Sequence, residues 1–242
     1  SFEFQANIIS DNFNTVEQQI ALKNNFDFDL GAGKLKGELK LFAFNTNFES
    51  SYYEKNIQEF TQGLGAFDLF WQSYKNNFKI RIGAGASYIL GVEKISNNLA
   101  YYPQVEFLYE KPGNILLPYL KGNGGITLNT YSSLTKENPY VAPTSNLIPS
   151  FSKYNLNIGI RSRLASVLNF DIGFIFDEIE NFNFFERLPF DNENNRIPYR
   201  LSNSFQSNYL DANLYGFKAS IRIDLIKDNF VFFETRYNHY ET

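Results

Sequence analysis

The stretch FDFDLGAGKLKGELKLFAF, Phe26 to Phe44, alternates apolar and charged side chains and breaks only at a glycine turn. A period of two is the geometry of a β-strand, whose successive side chains point to opposite faces of a sheet. It excludes an amphipathic helix, in which apolar positions recur every three or four residues. Phe26, Phe28 and Leu30 fall on one face, Asp27 and Asp29 on the other. Past the turn at Gly31-Ala32-Gly33-Lys34, Leu35, Leu39 and Leu41 rejoin the apolar face, while Lys36, Glu38 and Lys40 join the aspartates. Opposite charges on facing strands pair across a ladder, so the polar face is charge-matched. Phe42 and Phe44 interrupt it at the far end.

The same device recurs along the chain. FKIRIGAGASYIL sets Phe78, Ile80, Ile82, Ala84, Ala86, Tyr88 and Leu90 against Lys79, Arg81, Gly83, Gly85 and Ser87. YNLNIGIRSRLASVLNFDIGFIFD turns at Ala165-Ser166-Val167. Before the turn, Tyr154, Leu156, Ile158, Ile160 and Leu164 oppose Asn155, Asn157, Gly159, Arg161 and Arg163; after it, Leu168, Phe170, Ile172, Phe174 and Phe176 oppose Asn169, Asp171, Gly173 and Asp177. A last hairpin, Tyr215 to Tyr237, places Phe217, Ala219, Ile221, Ile223 and Leu225 against Lys218, Arg222 and Asp224, with its turn at Lys227-Asp228-Asn229. Weaker patterns predict strands over Ser1 to Ile9, Gln19 to Leu30, Gln58 to Tyr74, Ala100 to Glu110 and Leu117 to Thr130. The total is about eleven strands, most of them about 9 to 14 residues long, against roughly 5 or 6 in an average soluble domain. A tilted strand crosses a bilayer in roughly 9 to 11.

Which face meets water is a question for composition. The 242 residues are 43% hydrophobic, 20% charged and 18% aromatic, with no run that could make a membrane-spanning helix. A membrane β-barrel passes that test, because only every second residue meets lipid and the average stays polar. The net charge of −4 comes from both signs spread along the chain, which gives no basic stripe and no nucleic-acid partner. With no cysteine there is neither a disulfide framework nor a thiolate metal site. The chain has no methionine and opens at Ser1 in what already reads as a strand, as a mature or excised segment would.

Connections carry the strongest argument. They read as long after Ile9, short at Gly31-Lys34, long around Asn45-Asn56, short at Lys75-Asn77, medium at Val92-Asn98 and short at Lys111-Asn114. Then come a long one across Ser133-Lys153, a short one at Ala165-Val167, a very long one across Ile179-Gln206 and a short one at Lys227-Asn229. Alternating short and long connections are the mark of an up-and-down antiparallel transmembrane β-barrel with tight periplasmic turns and extended extracellular loops. No helix of useful length is predicted, since Pro139, Pro143, Pro149, Pro189 and Pro198 punctuate the two longest loops. An odd strand count would put the two chain ends on opposite sides of the membrane, whereas single-chain bacterial barrels have even numbers. Residues 1–242 are therefore expected to be one barrel domain, incomplete at one or both ends.

The alternating hairpins, the aromatic load and the segment ENPYVAPTSNLIPSFSKYNLNIGIRSRLAS, Glu137 to Ser166, resemble the barrel portions of TonB-dependent outer-membrane receptors as elaborated in Bacteroidota. The resemblance rests on pattern over most of the chain. It implies a barrel of about 22 strands, an N-terminal plug and energised uptake of a large nutrient in a Gram-negative outer membrane. Barrels of similar look also serve as porins and as scaffolds in assembly or secretion complexes.

Little in the chain suggests catalysis, and it is read as a non-enzyme. The single histidine, His239, lies between Tyr237 and Tyr240 with no serine motif nearby. Asp177, Glu178 and Glu180, with Asp191, Glu193 and Asn194, offer oxygen atoms to a calcium ion but do not fit the spacing of an EF-hand, so a solvated loop is expected. Gly83-Ala84-Gly85 and Gly122-Asn123-Gly124-Gly125 lack the Lys-Ser/Thr ending of a phosphate loop and are read as sites of close approach. No cofactor and no metal is expected. Asp27, Asp29, Lys36, Glu38, Lys79, Arg81, Arg161, Arg163, Asp171, Lys218, Arg222 and Asp224 are the candidate lining of a selective lumen. The same charges, mutually paired, could equally fill a barrel that conducts nothing. Tyr52, Tyr53, Trp71, Tyr74, Tyr88, Tyr101, Tyr102, Tyr119 and Tyr154 are expected in interfacial girdles, and Phe182, Phe184 and Phe185 in a loop where they could stack on sugars.

Three functions follow. The first is porin-like or transporter-like passage of a solute or polymer across the outer membrane. The second is a non-conducting barrel subunit that docks other outer-membrane proteins. The third is a soluble ligand-binding barrel or sandwich, in which Phe170, Ile172, Phe174 and Phe176 would point into a core. The first two imply outer-membrane lipid and lipopolysaccharide as partners.

Overall fold

The computed structural model describes residues 1–49, 58–92, 98–111, 115–143, 147–165, 167–190, 201–226 and 229–242. Eleven strands form one sheet, all neighbours antiparallel and in chain order. They are β1 Phe2–Ser10, β2 Thr15–Asp29, β3 Lys34–Phe48, β4 Gln58–Lys75, β5 Phe78–Leu90, β6 Leu99–Tyr109, β7 Leu116–Thr127, β8 Ser150–Ala165, β9 Leu168–Arg187, β10 Phe205–Ile226 and β11 Asn229–Glu241. The sheet is open, with β1 and β11 at its edges.

Register joins one alternate row of each strand, mostly apolar, into a single face. One row of partners runs Phe26, Gly37, Leu69, Ala84 and Pro103; another runs Leu120, Ile158, Phe174, Phe217 and Tyr237. Phe174 on this face is 65% exposed, and Ile82, Tyr101, Ile172 and Ile221 are exposed as well. Ile172 and Phe174, which the soluble reading sends into a core, are exposed, and Phe170 and Phe176 are half-buried.

The opposite face is the inside of the curve. The chain leaving β7 reaches back across five strands: the Tyr131 and Ser132 amides donate to Glu17 on β2, and Gln62 on β4 donates to the Leu147 carbonyl. A flat sheet could not bring these together. Here a short helix, α1 Tyr131–Glu137, packs into the molecule's main apolar cluster with Phe44, Phe48, Ile89, Val141 and Leu147. Its N-terminus is capped by Thr130, whose hydroxyl accepts from the Ser133 amide while the Ser133 hydroxyl accepts from the Thr130 amide. Three connections gather at this end of the sheet. Phe13 from the turn after β1 packs on Ala142 and Leu188, and Val141 bridges Phe205 at the start of β10.

Several boundaries differ from the sequence expectation. The long connection expected after Ile9 is only residues 11–14, because Asp11 folds it tightly, its Oδ1 accepting from the Phe13 and Thr15 amides while Asn14 takes a positive φ of 59°. The expected loop across Ser133-Lys153 holds α1 and the start of β8, and the strand expected to reach Thr130 ends at Thr127. The loop expected across Ile179-Gln206 is strand as far as Arg187 and again from Phe205. β-Bulges between Ser152 and Tyr154 and between Leu210 and Ala212 shift the register there, which breaks the period of two that the sequence reading relied on. The side alternation survives. Strand ends Asp29 and Lys34, Lys75 and Phe78, Tyr109 and Leu116, Ala165 and Leu168, and Ile226 and Asn229 lie at one end, and Ser10 and Thr15, Phe48 and Gln58, Leu90 and Leu99, Thr127 and Ser150, and Arg187 and Phe205 at the other.

Candidate functional site

The polar face carries a lattice of charge built from alternate residues of neighbouring strands. Lys34 lies 3.7 Å from Asp27 and 3.3 Å from Asp29 beside the first turn. Glu38 is bridged by Lys23 at 3.3 Å and Lys40 at 2.5 Å, and Lys40 reaches on to Asp68 at 3.4 Å. Glu106 is likewise held by two lysines, Lys79 at 2.8 Å and Lys121 at 3.4 Å. Across the sheet Arg161 meets Asp171 at 3.2 Å, and the Tyr119 hydroxyl donates to the same carboxylate at 2.8 Å. Arg222 pairs with Asp224 at 2.8 Å and lies over the Phe230 ring.

All twelve charged residues expected on one face share it by register. Lys36 is opposite Asp27 and Phe70, Arg163 opposite Asn169, and Lys218 opposite Gly173 and Arg236. The sequence reading missed five partners that complete the lattice: Lys23, Lys34, which it put in the turn, Asp68, Glu106 and Lys121. A signal was present. Asp68 and Glu106 are the acidic residues within the otherwise apolar stretches GLGAFDLFW and QVEFLY, and a period-two reading of β4 and β6 would have put both on the charged face.

Glycines open room on this face for aromatic side chains. The Tyr119 ring lies over Gly159 and Gly173 of the next two strands, where a Cβ would come within 2.4 Å and 2.7 Å of its hydroxyl. Tyr102 lies against Gly85 and Gly124, and Phe70 against Gly83. This bears out the close-approach reading for Gly83, Gly85 and Gly124, whereas Gly122 and Gly125 meet only ordinary contacts. It corrects the girdle assignment of Tyr102 and Tyr119, which are buried on the polar face because glycines admit them there. Trp71, Tyr88, Tyr101 and Tyr154 stay on the apolar face, Tyr74 falls on the polar face opposite Lys79, and Tyr52 and Tyr53 lie outside the described residues.

Within this lattice is a cavity of about 570 Å³, lined by Lys40, Asp68, Arg81, Tyr102, Asn123 and Asp177 among others. Asp68 is 3% exposed and accepts from Gln104 at 3.0 Å as well as from Lys40. Asp177 is buried too, accepting from Ser152 at 2.5 Å and Asn155 at 2.6 Å. Glu178 and Glu180 share Lys153 at 3.0 and 2.8 Å. The acidic run expected in a solvated loop is therefore in β9, held by strand partners; Asp191, Glu193 and Asn194 lie outside the described residues. Among the described residues no cluster of three potential ligands could hold a metal ion. Phe182, Phe184 and Phe185, expected in a loop, also belong to β9. His239 faces Tyr215 in the ladder and lines an apolar groove with Phe174, Phe217 and Tyr237.

No family model and no curated protein matches the chain in sequence. Among solved structures, the copper transporter OprC is similar over 94% of this chain and 38% of its own, with 10% identity and a TM-score of 0.55. The FrpB iron transporter from Neisseria meningitidis is similar over 93% of this chain and 36% of its own, with 9% identity and a TM-score of 0.57. The likeness is one of fold: an antiparallel eleven-stranded sheet matching part of an outer-membrane barrel. The chain spans well under half the length of either neighbour.

Proposed function

We propose that the eleven strands are part of the wall of an outer-membrane β-barrel, resembling TonB-dependent receptors, that passes polar solutes along its charged face. The observation that carries this reading is the apolar face. It is continuous from β1 to β11 and exposes large side chains from Phe4 to Tyr237, a surface that water disfavours and hydrocarbon accepts. The paired charges inside the curve are the matching half: a lumen lined by alternating acids and bases stays hydrated without a strong field of either sign. Hydrogen-bonding groups along the outer edges of β1 and β11 cannot stay unpaired at lipid depth, so closure of the barrel by further strands belongs to the same proposal.

Trp71 is the only tryptophan and lies on the apolar face, paired with Leu35 and Ile82. In liposomes of brominated lipid its fluorescence is expected to be quenched, as is that of Phe174→Trp in a Trp71→Phe background. Emission unchanged by the bromine at both positions would sink the membrane reading. The filled space beneath α1 supports a second reading, a non-conducting barrel that docks other outer-membrane proteins. Solute-dependent conductance in planar bilayers favours the first; a properly inserted but silent protein favours the second.

A further inference from the structure

We propose that Arg81 anchors a binding site for a small carboxylate-bearing solute in the polar cavity of the charge lattice. Hydrogen bonds and ion pairs occupy every carboxylate of this cavity and leave one of its donors unused. Three carboxylates line this cavity and each is already engaged: Glu38 by Lys23 and Lys40, Asp68 by Lys40 and Gln104, Asp177 by Ser152 and Asn155. Glu106, which faces Arg81 directly in the ladder, is taken by Lys79 and Lys121. Arg81 has no hydrogen-bond or ion-pair partner among the described residues, and its Nε is a buried donor with nothing to donate to.

What holds Arg81 is a ring. Its guanidinium carbon sits 3.4 Å from the centroid of Phe70, a separation at which a planar group can only lie flat. The Phe70 Cα and Cβ are close across the ladder to Gly83, where any Cβ would collide with them and with the Leu69 carbonyl. Stacking thus fixes the plane of the guanidinium while spending no N–H, and leaves a fork of the geometry that suits a carboxylate's two oxygens. Asn123, on the same cavity, has no hydrogen-bond partner among the described residues and supplies a neutral second donor. At about 570 Å³ the space is within the usual range of small-ligand pockets and suits a molecule of a few carbons.

The site rests on the lumen reading only in that solutes must reach this face, so it is tested without conduction. Isothermal titration of the detergent-folded protein with succinate is expected to show saturable binding, weakened about tenfold or more in Arg81→Gln. Arg81→Lys, which keeps the charge but not the fork, is expected to recover only part of it. Asn123→Asp adds a negative charge at an exposed position and should weaken succinate binding without touching Arg81. Undiminished binding in Arg81→Gln overturns the proposal, as does equal affinity for inorganic phosphate, which would make the site a nonselective one. Absence of binding in a protein whose Trp71 is still quenched by brominated lipid would remove the site and leave the membrane reading intact.

Discussion

Tyr119 shows how much a single residue can settle in a strand-built wall. Its ring spans two neighbouring strands only because both positions beneath it are glycine, and its hydroxyl then ends on Asp171, already paired with Arg161. A Cβ at residue 159 would meet not just that flexible ring but also the Ile172 carbonyl at 2.5 Å, which is fixed by the ladder. Gly159→Ala is therefore expected to destabilise the folded barrel by about 1–3 kcal/mol, the usual cost of overpacking. The midpoint of urea unfolding in detergent would check it, and a midpoint equal to wild type would show that the two strands can part at no cost. Tyr119→Phe tests the other half of the contact. Losing one hydrogen bond to a charged group, with the ring retained, should cost about 1.5–3 kcal/mol at most. The glycines were visible in the sequence as a pattern, but which aromatic filled each gap was not, because that depends on register between strands far apart in the chain.

At the scale of elements, the part the sequence could not deliver is the inward-folded connection between β7 and β8. Its clue was there: Phe42 and Phe44 are the two residues that spoil the charged face of the opening hairpin. Phe44 is 2% exposed, and the side chains of α1 and Val141 cover it. A break in alternation thus marked a docking site, yet nothing local says which distant segment docks. Glu17 is the latch. Only 1% exposed, it accepts from the Tyr131 and Ser132 amides, the Thr46 hydroxyl and the Gln19 amide. Both of its oxygens are used twice, so Glu17→Gln would set an amide donor against donors, and Glu17→Ala would leave them unpaired. Either change is expected to cost about 2–4 kcal/mol of local stability, read as lost hydrogen-exchange protection across residues 131–137 with the strands unchanged. Full protection in both variants would mean that packing alone holds the helix. Tyr131 gives an independent readout. Burial first, and then the Asp11 carboxylate that accepts its hydroxyl, push its phenol above the ordinary tyrosine range. Docking of this residue favours the neutral form, so its contribution is fully present below about pH 10 and is lost as the pH rises above that. The absorbance difference between wild type and Tyr131→Phe should show no phenolate at pH 10.5; a normal titration there would place Tyr131 in water.

For the molecule as a whole, the two-faced sheet was legible because a period of two survives averaging over strands that share one apolar surface. Strand ends were less so, since bulges and a tight Asp11 turn move boundaries without changing composition. The deciding question at this scale is whether the interior is open. Residues 128–143 and 147–149 stand inside the curve against β2 to β5, held by the Glu17 latch and by the Gln62 contact to Leu147, and narrow whatever passage the charged face lines. Replacing residues 131–142 with a short Gly-Ser turn keeps β7 and β8 antiparallel and removes the apolar plug while leaving the lattice around Glu38, Glu106 and Asp171 in place. In planar bilayers this variant is expected to conduct at least severalfold more than the intact protein, and to prefer neither cations nor anions strongly, because Lys40, Lys79 and Lys121 balance the carboxylates they bridge. The loss of Tyr131 and Leu134 from the cluster will lower the unfolding midpoint, so insertion must be shown first by protease protection of the strands. An inserted, unplugged barrel with unchanged conductance would rule out the passage reading and leave the charges as a filling that binds strand to strand, which is what a docking subunit needs and a channel does not.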